Sequence, residues 1–301
     1  MLVWGFVRPR TPQRYFPTAF HRKTFVNNLL VVVTAYPMLY IAFGSLSEPS
    51  QLVAARGPLW RPLGVSFDAY RLLLQNPMIA IGYRNTFLYL VGGTLLDLFL
   101  TCLGAYALSR PNLLFKTPIT IFIVLTLFFN GGLIPTYLLV GQTLQMANTP
   151  WALIVPNAVN TLNLLILKTA FEAVPPALEE SARIDGANDF TILFRIVLPL
   201  SLPAVAVIGL FYAVGHWNGY FPALIYLQNR DLYPLQLVLR EILVTSNVES
   251  MTTGVVSGDA EQVAQTIKYA AIIMATVPIL VVYPFLQKYF VQGALLGAIK
   301  E

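Results

Sequence analysis

The feature that most limits what this chain can fold into is the length of its runs without charge. Residues 24–47 carry none, and neither do residues 117–167. A helix crossing the hydrocarbon core of a bilayer needs about 20 mostly apolar residues. The first run fits one such helix. The second has room for two, with the polar stretch GQTLQMANTP, 141–150, as the turn between them. Residues 85–109, interrupted only by Asp97, supply another span. Residues 196–229 add a fifth, with Pro199, Pro203 and Pro222 inside it. Proline is tolerable there because neighbouring helices can satisfy the freed backbone groups. Residues 269–287 complete the set. The expected fold class is all-α: a polytopic membrane protein with six transmembrane helices.

Composition agrees. Of 301 residues, 56% are hydrophobic and 11% charged, against about 25% charged in a soluble domain. The net charge of +5 would suggest nucleic acid in a soluble protein. In a membrane protein it reflects basic residues gathered on the cytoplasmic side, so no nucleic-acid partner is expected. Arg8, Arg10, Arg14, Arg22 and Lys23 precede the first run, with no acid among them. They place the N-terminus in the cytoplasm, and six crossings return the C-terminus there. The apolar part of the first run is too long for a signal peptide, which points to an uncleaved helix. The loop 48–84 would be external although it holds Arg56, Arg61, Arg71 and Arg84. Long loops report orientation less well than short flanks. The organisation reads as a basic tail (1–23), a transmembrane domain (24–292) and a C-terminal tail (293–301). LYPLQLVLREIL, within the external loop 230–266, reads as an amphipathic helix near the surface, a lid on the bundle.

Several chemistries have no support. No G-x-x-x-x-G-K-[ST] occurs, so the chain has no phosphate cradle of its own. His21 and His216 join no metal-ligand cluster, no metal site is expected, and no G-x-S-x-G elbow is present. Cys102 lies in an apolar run and reads as a small buried hydrophobe. No catalytic residue can be named. Asp97 is costly in lipid and should face the bundle or a cavity. With no acid or histidine near it in sequence, a structural pairing is expected rather than a proton relay.

The stretch EESARIDGAND, 179–189, concentrates charge in a chain that has little. Pro175 and Pro176 suit a helix start, and Glu179 and Glu180 then sit at its positive end. Ser181 and Ala182 are small. Gly186 can take positive φ and end the helix, and Asn188 or Asp189 can cap the next one, FTILFRIV. The stretch reads as a short helix, a sharp turn and a second short helix. On the pattern, Glu179, Arg183 and Asp185 serve only to keep it in water.

This pattern resembles the membrane subunits of bacterial ABC importers, which carry E-A-A, three residues, G, nine residues, then I-x-L-P. Here Glu180, Ser181 and Ala182 precede Gly186, and Ile196, Leu198 and Pro199 follow at the right spacing, with serine for the middle alanine. The order of spans and the ending YFVQGALLGAIKE look like the second membrane subunit of the maltose-type, oligosaccharide-importing branch. FFNGGLIPTYLLV, GHWNGYFPALIYL and YPLQLVLREIL look like a narrower group for uronate or other complex oligosaccharides such as alginate.

The resemblance implies a type I ABC importer transmembrane fold in a bacterial inner membrane, with a shared core over about 83–288. It implies a heterodimer with a homologous permease subunit, two ATP-binding subunits that hold the ATP and Mg2+, an extracytoplasmic solute-binding protein and an oligosaccharide substrate. The loop 173–195 would dock on the ATPase, with Glu180 pairing a basic residue, Ser181 and Ala182 seating the helix and Gly186 setting the angle. Gly297, Lys300 and Glu301 of the tail would reach between the ATPase subunits. Polar residues of the spans, Asn130, Asn157, Asn160, Asn163, Trp217, Asn218 and Tyr220, are candidates for the sugar path, each equally suited to helix packing. An ion-driven secondary transporter would account for six spans and Asp97 but not for the loop pattern. An ABC permease for a non-sugar solute fits the sugar-branch stretches less well.

Overall fold

The computed structural model describes the backbone of residues 17–55, 57–252 and 258–298, and the side chains of 28–55, 57–244 and 263–284. Apart from one isolated bridge between Ser47 and Val65, regular structure among these residues is helical. Three helices are long and apolar enough to cross a membrane, and three bent pairs bring the number of spans to as many as six.

The first straight span lies in α1 (Pro17–Ser45). It packs on the last helix, α15 (Gly258–Ala298), where Tyr40 meets Tyr269 edge-on at 6.0 Å. The absence of a side chain at Gly44 lets the Tyr269 ring lie against α1. Between these elements and the second span lie two short helices, α2 (Pro49–Ala54) and α3 (Asp68–Gln75), tied back where Ser45 Oγ and Tyr70 Oη lie 2.7 Å apart.

The centre of the bundle is α4 (Pro77–Ser109). It starts cleanly because Pro77 needs no N–H partner and the Asn76 side chain accepts from Met78 N. It ends at Arg110, which precedes Pro111 and is therefore steered out of helical geometry. Its 33 residues span about 50 Å. It touches α8 (Thr161–Glu172), α12 (Leu202–Trp217) and α14 (Leu235–Thr252).

The other spans are not straight. The third is α5 (Lys116–Phe128) followed by α6 (Leu133–Leu138) and a π turn to Thr143, bent by 111° at a break where Gly132 takes φ +81°. The fourth is α7 (Trp151–Ile154) with a 3-10 turn to Asn157, then α8, bent by 53°. In the fifth, α9 (Pro176–Ile184) leads to α10 (Asp189–Ile192), a π turn over Leu193–Val197 and α11 (Leu198–Leu200). The chain then turns by 89° into α12.

The expectation of one continuous fifth span over 196–229 is therefore corrected. Pro203 and Pro222 stand in the first turn of a helix, Pro199 directly follows the π turn within the helical run Asp189–Leu200, and α13 (Phe221–Tyr226) is separate from α12. Proline lacks an N–H and starts helices more readily than it interrupts them.

The surface-helix expectation for LYPLQLVLREIL is corrected too. Leu235, Leu237, Val238 and Leu239 of α14 are all buried, too many faces for a helix lying on a surface. Leu235 N donates to Thr86 Oγ1 at 2.8 Å, and the α14 backbone crosses α4 at Gly82, where a Cβ would meet it.

Two apolar clusters flank the middle of α4. One joins Cys102, Tyr106, Leu167, Phe171, Ile192, Val197 and Ile208. The other joins Ile79, Trp217, Leu235, Val238 and Ala270.

Candidate functional site

The charged stretch folds as a turn on a rigid support. Three hydrogen bonds close α9: Asp185 N to Ser181 O, Gly186 N to Arg183 O and Ala187 N to Ala182 O. The last two are the pair that lets a residue of positive φ end a helix, and Gly186 has φ +83°. The Asn188 side chain then accepts from Thr191 N at 2.8 Å and caps α10. Arg183 and Asp189 form an ion pair across the turn, and Tyr106 Oη donates to Asp189.

Glu179 corrects the solvation role expected for it. It is buried, and it pairs with Arg110, the residue that follows α4. Arg110 also donates to Phe171 O at 3.2 Å and to Ser109 Oγ at 3.0 Å, and its guanidinium stands 4.8 Å from the centre of the Tyr106 ring. Burial lowers its pKa, against which Tyr106 acts, and a guanidinium so placed keeps its charge at any working pH. The base of α9 is thus clamped to the ends of α4 and α8. What it presents outward is Glu180, Ser181, Ile184, Asp185 and Gly186, all exposed, with Ile184 at 86%. Ala182 packs inward on the core, as does Leu198, while Ile196 is half-buried and Pro199 exposed.

Deeper in the bundle lies a cavity of about 390 Å³ between α4, α8 and α12. It is lined by Asp97, Asn157, Asn160, Asn163, Tyr212 and His216, with Tyr89 and Phe211 among its aromatic walls. Tyr212 Oη accepts from Asn160 N at 2.9 Å and lies 2.7 Å from Thr101 Oγ1. The Asn160 side chain caps α8 by accepting from Asn163 N at 3.1 Å. Asp97 is 1% exposed, and its Oδ2 lies 2.7 Å from His216 Nε2. The His216 ring rests on Gly93, where a side chain would displace it. A buried acid inside a span requires a partner, and His216 supplies it from 119 positions away. Sequence reading missed this pair because it looked for a neighbour along the chain.

Three of the asparagines anticipated for a sugar path, Asn157, Asn160 and Asn163, meet at this cavity. The other four lie outside its lining. Trp217 is buried in the core and donates from Nε1 to Ala275 O at 3.2 Å. Asn130 accepts from Gly132 N at the α5–α6 break, and Asn218 bonds Val214 O on its own helix. Tyr220 lies under the Arg240 guanidinium at 5.6 Å. Gly297 falls within α15, while Lys300 and Glu301 lie outside the described residues. No metal-binding group of His, Cys, Asp and Glu occurs among the described residues.

Residues 106–295 match the family of inner membrane components of binding-protein-dependent transport systems. The chain belongs to that family. It is a multi-pass permease subunit of an ABC importer, with its Gly186 turn and most of its cavity inside the matched region. It is 41% identical over 272 residues to the polygalacturonan/rhamnogalacturonan transport system permease protein YtcP of Bacillus subtilis, covering 90% of this chain and 94% of that one. It is 40% identical over 268 residues to Protein LplC of the same organism, covering 89% and 90%. Its structure superposes with a TM-score of 0.82, at 30% identity, on a crystal structure of a bacterial ABC transporter involved in the import of the acidic polysaccharide alginate. That match covers 94% of this permease and 100% of the other chain.

Proposed function

We propose that this permease forms, with a second and similar membrane subunit, the path by which an oligosaccharide enters the cell. An external binding protein delivers the sugar, and two ATP-binding subunits, which carry the ATP and Mg2+, drive the cycle. The Gly186 turn carries the reading: an exposed acidic and apolar tip on a base held by a buried ion pair is built to be pushed. Similarity to permeases of polysaccharide-fragment importers supports the sugar.

In this reading the turn faces the cytoplasm, as do both termini. Glu180 pairs with a basic group of the ATPase and Ile184 fills an apolar hollow beside it. Ser181 keeps the contact close, Ala182 seats α9 against the bundle, Gly186 holds α9 and α10 at their angle, and Ile196, Leu198 and Pro199 lead the displacement into α12. The Arg110–Glu179 pair carries the same push to α4. Asp97 lies 13 residues before Arg110, about 20 Å along the helix, so a rigid α4 connects the turn to the cavity. Asn157, Asn160 and Asn163 offer neutral hydrogen-bonding groups to sugar hydroxyls there.

The test is purification of the tagged permease from its own membrane. ATP-binding subunits and a second permease should co-purify, and an oligosaccharide with its binding protein should stimulate their ATP hydrolysis. Uptake driven by an ion gradient with no ATPase bound would overturn the proposal.

A further inference from the structure

We infer that the recess between Tyr220, α14 and α15 is a subsite for an acidic sugar unit, in which Arg240 binds the carboxylate of the ring. The inference rests on the oligosaccharide reading above and adds to it the kind of sugar this subunit selects. It starts from three polar side chains that meet in one place. Gln236 and Arg240, one turn apart on α14, and Tyr220, just before α13, line a recess of about 400 Å³. Among the described residues, the Gln236 amide, the Tyr220 hydroxyl and the Arg240 guanidinium have no hydrogen-bond partner, and Arg240 has no acidic one. The acid next to it in the chain, Glu241, is taken by Arg230 at 2.8 Å. What the guanidinium meets is the ring of Tyr220, 5.6 Å from its centre, and both residues are exposed.

Position and chemistry narrow the ligand. α15 contributes residues 271–276 to the wall, the middle of its apolar window 263–284. An exposed guanidinium at that depth is costly against lipid, so it belongs on the side of the bundle that meets water and solute. The recess also adjoins the Asp97 cavity. Gly219 and Pro222 line the cavity while Tyr220 lines the recess, and Pro234 lines the cavity while Gln236 lines the recess. One sugar chain can therefore touch both. The small side chains of Ala271 and Ala275 leave room for a ring, and the volume lies within the range of small-ligand sites, about 300–1,000 Å³. A guanidinium is a planar fork of donors that matches a carboxylate with two parallel hydrogen bonds. The face of the Tyr220 ring holds that fork in orientation. The Gln236 amide both donates and accepts, which suits the hydroxyl groups of the same ring. A neutral sugar brings no charge to the fork, so this recess favours the acid.

The test uses disaccharide pairs that differ only at C6: α-1,4-digalacturonate with α-1,4-galactobiose, and β-1,4-dimannuronate with β-1,4-mannobiose. Uptake is measured with the complete importer in membrane vesicles, and the quantity read is the ratio of kcat/KM for the acid to that for its neutral partner. The binding protein is the same throughout, so a change in the ratio belongs to the permease. Arg240→Gln keeps donors and removes the charge. It should lower the ratio about tenfold or more, with uptake of the neutral sugar within about twofold of the unaltered importer. Gln236→Glu, which sets a carboxylate beside the fork, should lower the ratio as well, and it serves alone if Arg240→Gln does not assemble. An unchanged ratio overturns the inference. So does an equal loss of both sugars with weaker co-purification of the second permease, which would assign Arg240 to the contact between subunits. An unaltered importer that takes up neutral oligosaccharides and neither acid also overturns it, while leaving the oligosaccharide reading in place. Failure to take up any oligosaccharide overturns that reading itself, and this one with it.

Discussion

Asp97 Oδ2 and His216 Nε2 lie 2.7 Å apart in the interior of the bundle and join α4 to α12, as Thr101 and Tyr212 also do at 2.7 Å. Removing the histidine leaves an acid that is 1% exposed with neither oxygen paired. His216→Ala should therefore cost about 1–3 kcal/mol of stability. Asp97→Asn should cost less, because its amide can still bond the ring. Thermal unfolding of the purified permease in detergent measures both, and equal losses would show that the hydrogen bond is not what the pair contributes.

Gly93 is the floor on which the His216 ring rests. A methyl group there must displace the ring, and overpacking of this kind costs about 1–3 kcal/mol. Gly93→Ala should destabilise the permease in its native form but much less when combined with His216→Ala, because the obstructed ring is then gone. A double-mutant cycle reads the coupling, and strict additivity would place the clash elsewhere.

The Arg110–Glu179 pair holds the base of α9 with side chains only 18% and 9% exposed. Losing one partner of such a pair leaves a charge poorly solvated, at about 2–3 kcal/mol once partial exposure is allowed for. Arg110→Ala and Glu179→Ala should each lower the unfolding temperature and reduce sugar uptake per ATP hydrolysed. Arg110→Lys should not restore coupling, since one ammonium cannot reach Glu179 and Phe171 O while covering the Tyr106 ring. Normal coupling in that variant would remove the clamp from the mechanism.

Glu180 is exposed at the tip. Glu180→Ala should leave stability within about 0.5 kcal/mol while abolishing sugar-stimulated ATP hydrolysis. Gly186→Leu should do the same to coupling and also cost about 1–2 kcal/mol, since φ +83° strains a residue with a β-carbon. Full transport in both variants would refute the docking role of the turn.

What the linear chain makes legible is chemistry that acts locally. Charge-free runs mark membrane helices because the bilayer tests each stretch for length and polarity. Gly186 marks a positive-φ turn because only glycine is comfortable there, and Asn188 marks a helix start because its side chain reaches a backbone N–H three residues on. The loop pattern was readable because its residues keep a fixed spacing along one short stretch of chain, from Glu180 to Pro199.

Burial and partnership were decided by the tertiary structure alone. Glu179 and Glu180 are adjacent letters of one type, yet one is buried against Arg110 and the other exposed, because successive residues of a helix point about 100° apart and only the bundle defines which side is inside. Pro203 and Pro222 could kink a span or begin one, and the tertiary structure has them begin α12 and α13. LYPLQLVLREIL could rest on a surface or enter the bundle, and the glycine at position 82 of a distant helix admitted it. Asp97 announced by its cost in lipid that a partner must exist. Its name, His216, depended on the crossing of α4 and α12, because electrostatic and hydrogen-bonding energy depends on distance in space, which separation along the chain does not determine.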